Sequence, residues 1–257
     1  MSEPEDILSS SLETLYDYAP ITHSSAGPQF TYTSPSGAPT ITLATPDTAA
    51  ENWALHASSI WVSALYIADH LPELQLRGGH HRVLELGAGA GLPGILIAKT
   101  YEHVHVTTSD YPDAELMRAL EANVARNGAQ ARCSVVPHAW GTDPSTLLSP
   151  DAAGFDTIVA ADTLWNPDIH LKLIDTLART LARTDGARAH LVAGLHTGRY
   201  TIEAFVRAVG EVGMVVESAV EREVKGEGRR EWDVRRAEDE DERERRRWVV
   251  WMILRWP

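Results

Sequence analysis

Val83-Leu84-Glu85-Leu86-Gly87-Ala88-Gly89-Ala90-Gly91-Leu92-Pro93-Gly94 decides the fold. An apolar run ends in three alternating glycines, and a helical pattern follows. Glycine lets the backbone turn tightly and approach a ligand with no side chain in between. Such a turn, placed after a strand and feeding a helix N-terminus, marks a nucleotide-type pocket.

Outward from this turn, strand and helix patterns alternate. Arg82 to Leu86 reads as a strand and Leu92 to Thr100 as a helix. Val104 to Ser109 is a strand, and Asp113 to Asn127 is a helix closed by Gly128. Arg132 to Val136 and Phe155 to Ala161 are strands, Pro167 to Arg183 a helix, Ala189 to Leu195 a strand and Ile202 to Val212 a helix. This alternation implies right-handed crossovers and a mostly parallel sheet covered on both faces. Met214 to Glu221 and Trp248 to Leu254 are late strands with no helical pattern between them, so they should pair antiparallel. Upstream, residues 5–18 have near-helical apolar spacing. Gln29 to Thr33 and Thr40 to Ala44 form a hairpin around a Pro/Gly/Ser-rich loop, and a long helix runs from about Trp53 to Leu71. The segment Arg229 to Arg247 holds eight acidic and eight basic residues and reads as a solvated loop or hairpin extension.

Gly89-Ala90-Gly91-Leu92-Pro93-Gly94 also matches the dinucleotide pattern G-x-G-x-x-G. Register argues against a dinucleotide. The strand ends at Leu86, so the turn begins at Gly87 and reads Glu-x-Gly-x-Gly-x-Gly. The antiparallel tail also departs from a second nucleotide-binding half. Glu85 and the downstream residues point to S-adenosylmethionine. Asp110 ends the second strand, where a carboxylate can take both ribose hydroxyls; capping of the following helix is its alternative role.

Ser109-Asp110-Tyr111-Pro112-Asp113, Leu120-Glu121-Ala122-Asn123-Val124-Ala125-Arg126-Asn127, Trp140-Gly141-Thr142-Asp143 and Ala161-Asp162-Thr163-Leu164-Trp165-Asn166 extend the pattern. With them the chain resembles the seven-stranded methyltransferases of family 16. Within these it is similar to the fungal branch of nicotinamide N-methyltransferase-like chains and of protein N-terminal and lysine methyltransferases of elongation factor 1-alpha. The resemblance implies an α/β, doubly wound, mostly parallel seven-stranded sheet with an antiparallel C-terminal hairpin, Rossmann-like. Residues 1–52 would be an N-terminal helix and hairpin extension, and 53–257 the S-adenosylmethionine-dependent domain with a charged loop at 229–247.

The resemblance also implies residue roles. Glu85, Gly87, Gly89 and Gly91 would shape the pocket for the methionine part of the cofactor. Asp110 would hold the ribose, with Tyr111 beside the adenine and Trp140 stacked on it. Ala161 would line the pocket, and Trp61 would stand near its mouth. The family's Asp-x-x-Tyr motif reads Asp162-Thr163-Leu164-Trp165 here, so the aromatic is kept and the phenol lost. Asp162, Trp165 and Asn166 are the expected catalytic residues. Asp162 either orients the amine or caps the helix that begins at Pro167; His170 is a helix-face or catalytic histidine. The pattern around His196 fits the family only loosely.

Composition sets the outer bounds. Apolar content is 44% and charged content 23%, ordinary for a globular protein. A net charge of −13 argues against direct nucleic-acid binding and suits a basic protein partner. The acidic start is unlike a signal peptide, and no apolar run could span a bilayer. With the single Cys133, read as a buried inert thiol, this fits a reducing cytosolic or nuclear home, and a cytoplasmic location is expected; the oligomeric state is left open, with a monomer favoured. His80-His81 and His103-x-His105 lack further ligands, so no metal is expected. The expected activity is methylation of a protein amine, a lysine side chain or N-terminus, with the basic translation factor elongation factor 1-alpha as candidate. The alternatives are N-methylation of nicotinamide or a related small amine, a methyltransferase fold without turnover, and nicotinamide-cofactor oxidoreduction.

Overall fold

A computed structural model describes residues 20–24, 27–35, 37, 39–46, 56–148 and 154–257. The helix expected over 5–18 and the first residues of the long helix, Trp53 included, lie outside the described residues.

The strands are β1 (Gln29–Thr33), β2 (Thr40–Ala44), β3 (His81–Leu86), β4 (Val104–Asp110), β5 (Cys133–Pro137), β6 (Thr157–Ala161), β7 (Arg188–Gly194), β8 (Val215–Glu223), β9 (Arg229–Glu231) and β10 (Trp248–Arg255). The helices are α1 (Val62–Asp69), α2 (Leu92–Thr100), α3 (Ala114–Arg126), α4 (His170–Thr180), α5 (Arg199–Glu211) and α6 (Glu242–Arg246). The main sheet runs β5-β4-β3-β6-β7-β10-β8-β9. β3 through β7 pair in parallel, while β10 is antiparallel to both β7 and β8. The expected mostly parallel sheet with an antiparallel tail is therefore present. The last strand inserts between β7 and β8 instead of extending the edge, and β9 adds an eighth strand from the charged segment.

Alternation along the central strands explains the two covered faces. Val83, Val249 and Trp251 join the core layer on one face, and Leu84, Leu86, Val250, Met252 and Leu254 that on the other. The strand order reverses at β3. β4 and β5 lie to one side of it and β6 and β7 to the other, which opens a crevice at the strands' C-terminal ends.

One expectation needs correction, and one of two alternatives is decided. The helix expected from Trp53 begins at Val62. Trp61 is extended and bridges Thr22, and Val62 donates to the Ile21 carbonyl at 2.9 Å, so an edge contact displaces the first helical turn. Segment 229–247, expected as a solvated loop or a hairpin extension, takes the second form: β9 pairs antiparallel with β8, and a 3-10 turn (Val234–Glu238) and α6 follow. Asp233 and Asp241 cap the 3-10 turn and α6 by accepting from Arg235 N and Glu244 N.

The β1–β2 hairpin contributes Tyr32, Ile41 and Leu43 to the main core. Asn123 in the last turn of α3 and Asn127 at its C-cap act as a surrogate strand for it. Asn123 accepts from Ala44 N at 2.8 Å and donates to Ala44 O at 2.8 Å and to Ala90 O at 3.0 Å. Asn127 repeats the pair on Thr42 at 3.0 and 2.9 Å. Asn123 thereby joins the hairpin to the glycine turn. Replacing Asn123 by Ala leaves three backbone groups unpartnered and should cost roughly 2–4 kcal/mol. Urea unfolding reads the loss, and hydrogen exchange should show the Ala44 amide deprotected first; unchanged stability would remove the role assigned to Asn123.

Candidate active site

The crevice at the strand-order reversal is a cleft of about 420 Å³, within the range of small-molecule sites. Its floor is the glycine turn after β3. Gly87 adopts φ +67°, and a Cβ there would fall 2.8 Å from Thr163 Cγ2 and 3.2 Å from Trp140 Cζ2. A side chain at position 87 would therefore block the space between these two walls. Gly89 and Ala90 continue the floor. Gly91 is outside the lining. It sits at φ +86° as the N-cap of α2, where a Cβ would meet Leu120 Cδ1 at 2.5 Å, so its expected pocket role is replaced by close helix packing.

Two carboxylates are buried beneath the turn. Asp110 accepts from Gly89 N at 2.6 Å and from Tyr111 N at 2.7 Å, so it is tied to the turn and does not cap α3; Asp113 does that. Burial raises its carboxyl to about 6, against the pull of those two amides. Glu85 accepts from Thr108 Oγ1 at 2.6 Å and from the Gly94 amide, and burial lifts it to about 7. Both line the cleft, and burial makes the charged form of each costly. A ligand rich in hydroxyl and cationic donors relieves that cost.

The next strand ends supply the walls. His138, just after β5, is buried, and burial lowers its imidazole pKa. Gly141 N donates to Thr176 Oγ1 of α4 at 2.9 Å and so anchors the loop carrying Trp140. Trp140 and Ala161 line the cleft, and Tyr111 stands at it 43% exposed, open to contact.

Beyond β6 the chain runs Asp162-Thr163-Leu164-Trp165. Asp162 sits at φ +50°; its two oxygens accept from Gly194 N at 2.7 Å and from Ser63 N at 3.3 Å. It thus joins β6, β7 and the start of α1 while lining the cleft. The cap at Pro167 comes instead from Asn166, which accepts from Asp168 N at 3.0 Å. Asn166 does not line the cleft, so the structure does not bring this expected catalytic residue to the site; its short amide is spent on the turn before Pro167. His170 is buried, 3.0 Å from the Leu164 carbonyl and edge-on to Phe205, and is a packing residue.

The outer wall is aromatic. Trp61 and Trp165 line the cleft, joined by His56, which nothing in the sequence singles out. His56 lies at φ +52°, edge-on to Trp165 with ring centroids 4.8 Å apart and to Trp61 at 6.0 Å. Trp61 Nε1 donates to His56 O at 2.8 Å, and His196 stacks on the Trp61 face at 5.5 Å. Only the strained backbone at position 56 distinguishes this histidine, and a sequence does not display it. Lys172 of α4 also reaches the cleft. Among the described residues no group of three or more His, Cys, Asp or Glu could hold a metal ion, and no helix is long and apolar enough to cross a membrane.

The residues present fit S-adenosylmethionine: a side-chain-free floor at Gly87, acceptors for hydroxyls and an ammonium at Asp110 and Glu85, and a flat surface at Trp140. Solved structures agree on the fold. A glycopeptide N-methyltransferase crystallised with S-adenosylmethionine superposes with a TM-score of 0.53 at 14% identity, over 76% of this chain and 94% of its own. A putative methyltransferase solved with the Haloferax volcanii activator Trm112 gives 0.54 at 14% identity, over 80% and 96%.

Curated relatives are nearer in sequence. A protein N-terminal and lysine N-methyltransferase of Neurospora crassa is 30% identical over 151 residues, 54% of this chain and 53% of its own. A Schizosaccharomyces pombe protein of the same name is 35% identical over 125 residues, 47% and 49%. An EEF1A lysine methyltransferase 3 of Xenopus tropicalis is 29% identical over 121 residues, 47% and 51%. The chain spans about half the length of these relatives. Residues 47–208 match the lysine methyltransferase family as a whole, and the chain belongs to that family.

Proposed function

We propose that this protein is an S-adenosylmethionine-dependent N-methyltransferase acting on a protein amine, a lysine side chain or an N-terminus, with elongation factor 1-alpha as the candidate acceptor. The observation that carries this reading is the division of one cleft into two halves. Carboxylates and glycine backbone lie at the strand ends, and the rings of His56, Trp61 and Trp165 form the outer wall. The names of the relatives point the same way, since they describe proteins that methylate lysines and N-termini.

When bound, S-adenosylmethionine supplies a methyl group already activated on a sulfonium. Asp110 would hold the ribose hydroxyls, Glu85 and the turn at Gly87 and Gly89 the methionine portion, and Trp140 and Tyr111 the adenine. Little acid–base work is left to the chain; its residues must hold the acceptor in line. An ammonium has no lone pair, so the acceptor must arrive deprotonated. The aromatic wall promotes this by excluding water from the amine, which lowers its pKa. Asp162 fixes the strand end that presents Trp165 and itself lines the cleft.

The site carboxyls set the pH behaviour. Both are pushed above their unfolded values, so in the ligand-free protein they favour folding while protonated. That contribution is full below the ordinary carboxylate range and is lost as pH rises through about 6 for Asp110 and about 7 for Glu85. Ribose hydroxyls select the ionised form of Asp110. The cofactor's ammonium selects the ionised form of Glu85 in the same way, so affinity for S-adenosylmethionine should rise with pH through about 6 and on through about 7 and level off above, and binding below that range should release protons. Calorimetry in two buffers of different ionisation enthalpy measures those protons. Asp110→Asn should weaken binding by roughly 2–3 kcal/mol and flatten the pH dependence.

Position 165 needs a ring and no hydroxyl. Trp165→Phe should keep most methyl transfer, whereas Trp165→Ala should lose it with cofactor affinity nearly intact. Equal turnover in both would remove Trp165 from the acceptor side.

The substrate class is tested by offering labelled S-adenosylmethionine together with nicotinamide and a lysate from cells lacking this protein. Label should enter protein, and the rate should fall with salt as screening shortens to about 8 Å and below, given the net charge of −13. Robust turnover of nicotinamide with no labelled protein would establish the small-molecule reading instead.

A further inference from the structure

Arg199, the first residue of α5, is fully buried together with Glu221 of β8 and, almost fully, Glu240 of segment 229–247. Every guanidinium N–H is used. Nε and Nη2 donate to Glu240 at 2.6 and 2.8 Å, Nη1 and Nη2 to Glu221 at 2.5 and 2.8 Å, and Nη1 to the Asp233 carbonyl at 3.1 Å. Arg230 and Arg236, from the same segment, donate to Glu221 at 2.7 Å each. The Arg199 guanidinium also lies over the Trp232 ring, 5.1 Å from its centroid. Two points of segment 229–247, Trp232-Asp233 and Glu240, thus meet one buried cation, and Arg230 and Arg236 meet its partner Glu221. Such an arrangement adds little net stability, because desolvation offsets attraction, but it specifies one geometry.

That geometry borders the cleft. Only Gly198 separates Arg199 from the 3-10 turn Leu195–Thr197, and α6 packs against the same turn. The turn carries His196, whose buried Nδ1 has no hydrogen-bond partner and whose ring stacks on Trp61, 16° from parallel. Trp61 lines the cleft. The contact path runs from Glu240 to Arg199, through the 195–198 backbone to His196, and on to Trp61. It reaches the aromatic half of the cleft and not the Asp110 half.

We propose that segment 229–247 braces the acceptor side of the cleft, with Arg199 and Glu240 as positioning residues that set the placement of His196 against Trp61. The inference rests on the methyltransferase reading. It adds that the charged segment governs acceptor recognition and leaves cofactor affinity alone.

Two variants test it: Glu240→Gln, which puts an amide donor against the guanidinium, and the milder Asp241→Ala, which removes the α6 cap. The ring of Trp61 shifts the ε1 proton of His196, which is observable in protein labelled with ¹³C-histidine and assigned by its loss in His196→Gln. In both variants that proton should move toward the free-histidine position while the Gly89 amide stays in place. The acceptor KM should rise roughly five- to tenfold with the Kd for S-adenosylmethionine within about twofold, a split that general destabilisation does not produce. An unmoved His196 line in the folded variants overturns the proposal. So does cofactor affinity falling in step with acceptor affinity. A wild-type protein that labels no acceptor overturns the functional reading instead, and the His196 line still decides the coupling.

Discussion

Three carboxylates buried at the C-terminal ends of neighbouring parallel strands organise this molecule. Glu85 near the end of β3, Asp110 ending β4 and Asp162 just past β6 each accept backbone N–H groups from adjoining segments. Asp110 ties the glycine turn to β4, and Glu85 meets the start of α2 at Gly94. Asp162 ties the start of α1 to the end of β7. In a parallel sheet the strand ends meet at one rim, and the loops there lack ladder partners. A carboxylate with two oxygens satisfies two such groups at once. The cost is desolvation, visible in the raised carboxyls of Glu85 and Asp110. The loops of the crevice are thereby held in place before any ligand arrives.

The same arrangement divides the cleft chemically. Toward the sheet it offers acceptors and bare backbone; toward solvent it offers rings. The first half suits a polar, cationic nucleoside derivative, and the second an amine that must shed its proton and its water. The outer half depends on segments far apart in the chain. Trp61 precedes α1, Trp165 follows β6, and His196 follows β7. The charged segment 229–247 then leans on the last of these through Arg199.

The sheet was legible because period-2 apolar runs and period-3.6 runs alternate cleanly from Arg82 to Val212. The glycine turn, Asp110 and Trp140 stood out because each lies at or shortly beyond the end of a strand. Most of what escaped the sequence reading shares one property: it depends on partners distant in the chain. Arg199 looks like an ordinary surface arginine until Glu221 and Glu240 enclose it. Asn123 and Asn127 gave no sign of pairing with a hairpin some eighty residues upstream. Asp162 had two plausible roles, and neither was the bridge between Gly194 and Ser63. Asn166, drawn toward catalysis by the family resemblance, instead caps the turn at Pro167 by accepting from Asp168 N, a local bond that the resemblance gave no reason to expect. The position of β10 inside the sheet is likewise a matter of tertiary pairing that two apolar runs cannot declare.

The central claim is that the crevice at the strand-order reversal is built for S-adenosylmethionine. Isothermal titration of the folded protein with S-adenosylmethionine and, separately, with NAD tests it most directly. The account predicts saturable binding of S-adenosylmethionine, competed by its demethylated product, and no heat from NAD. Binding of NAD at the same site, or no binding of S-adenosylmethionine by folded protein, would contradict it.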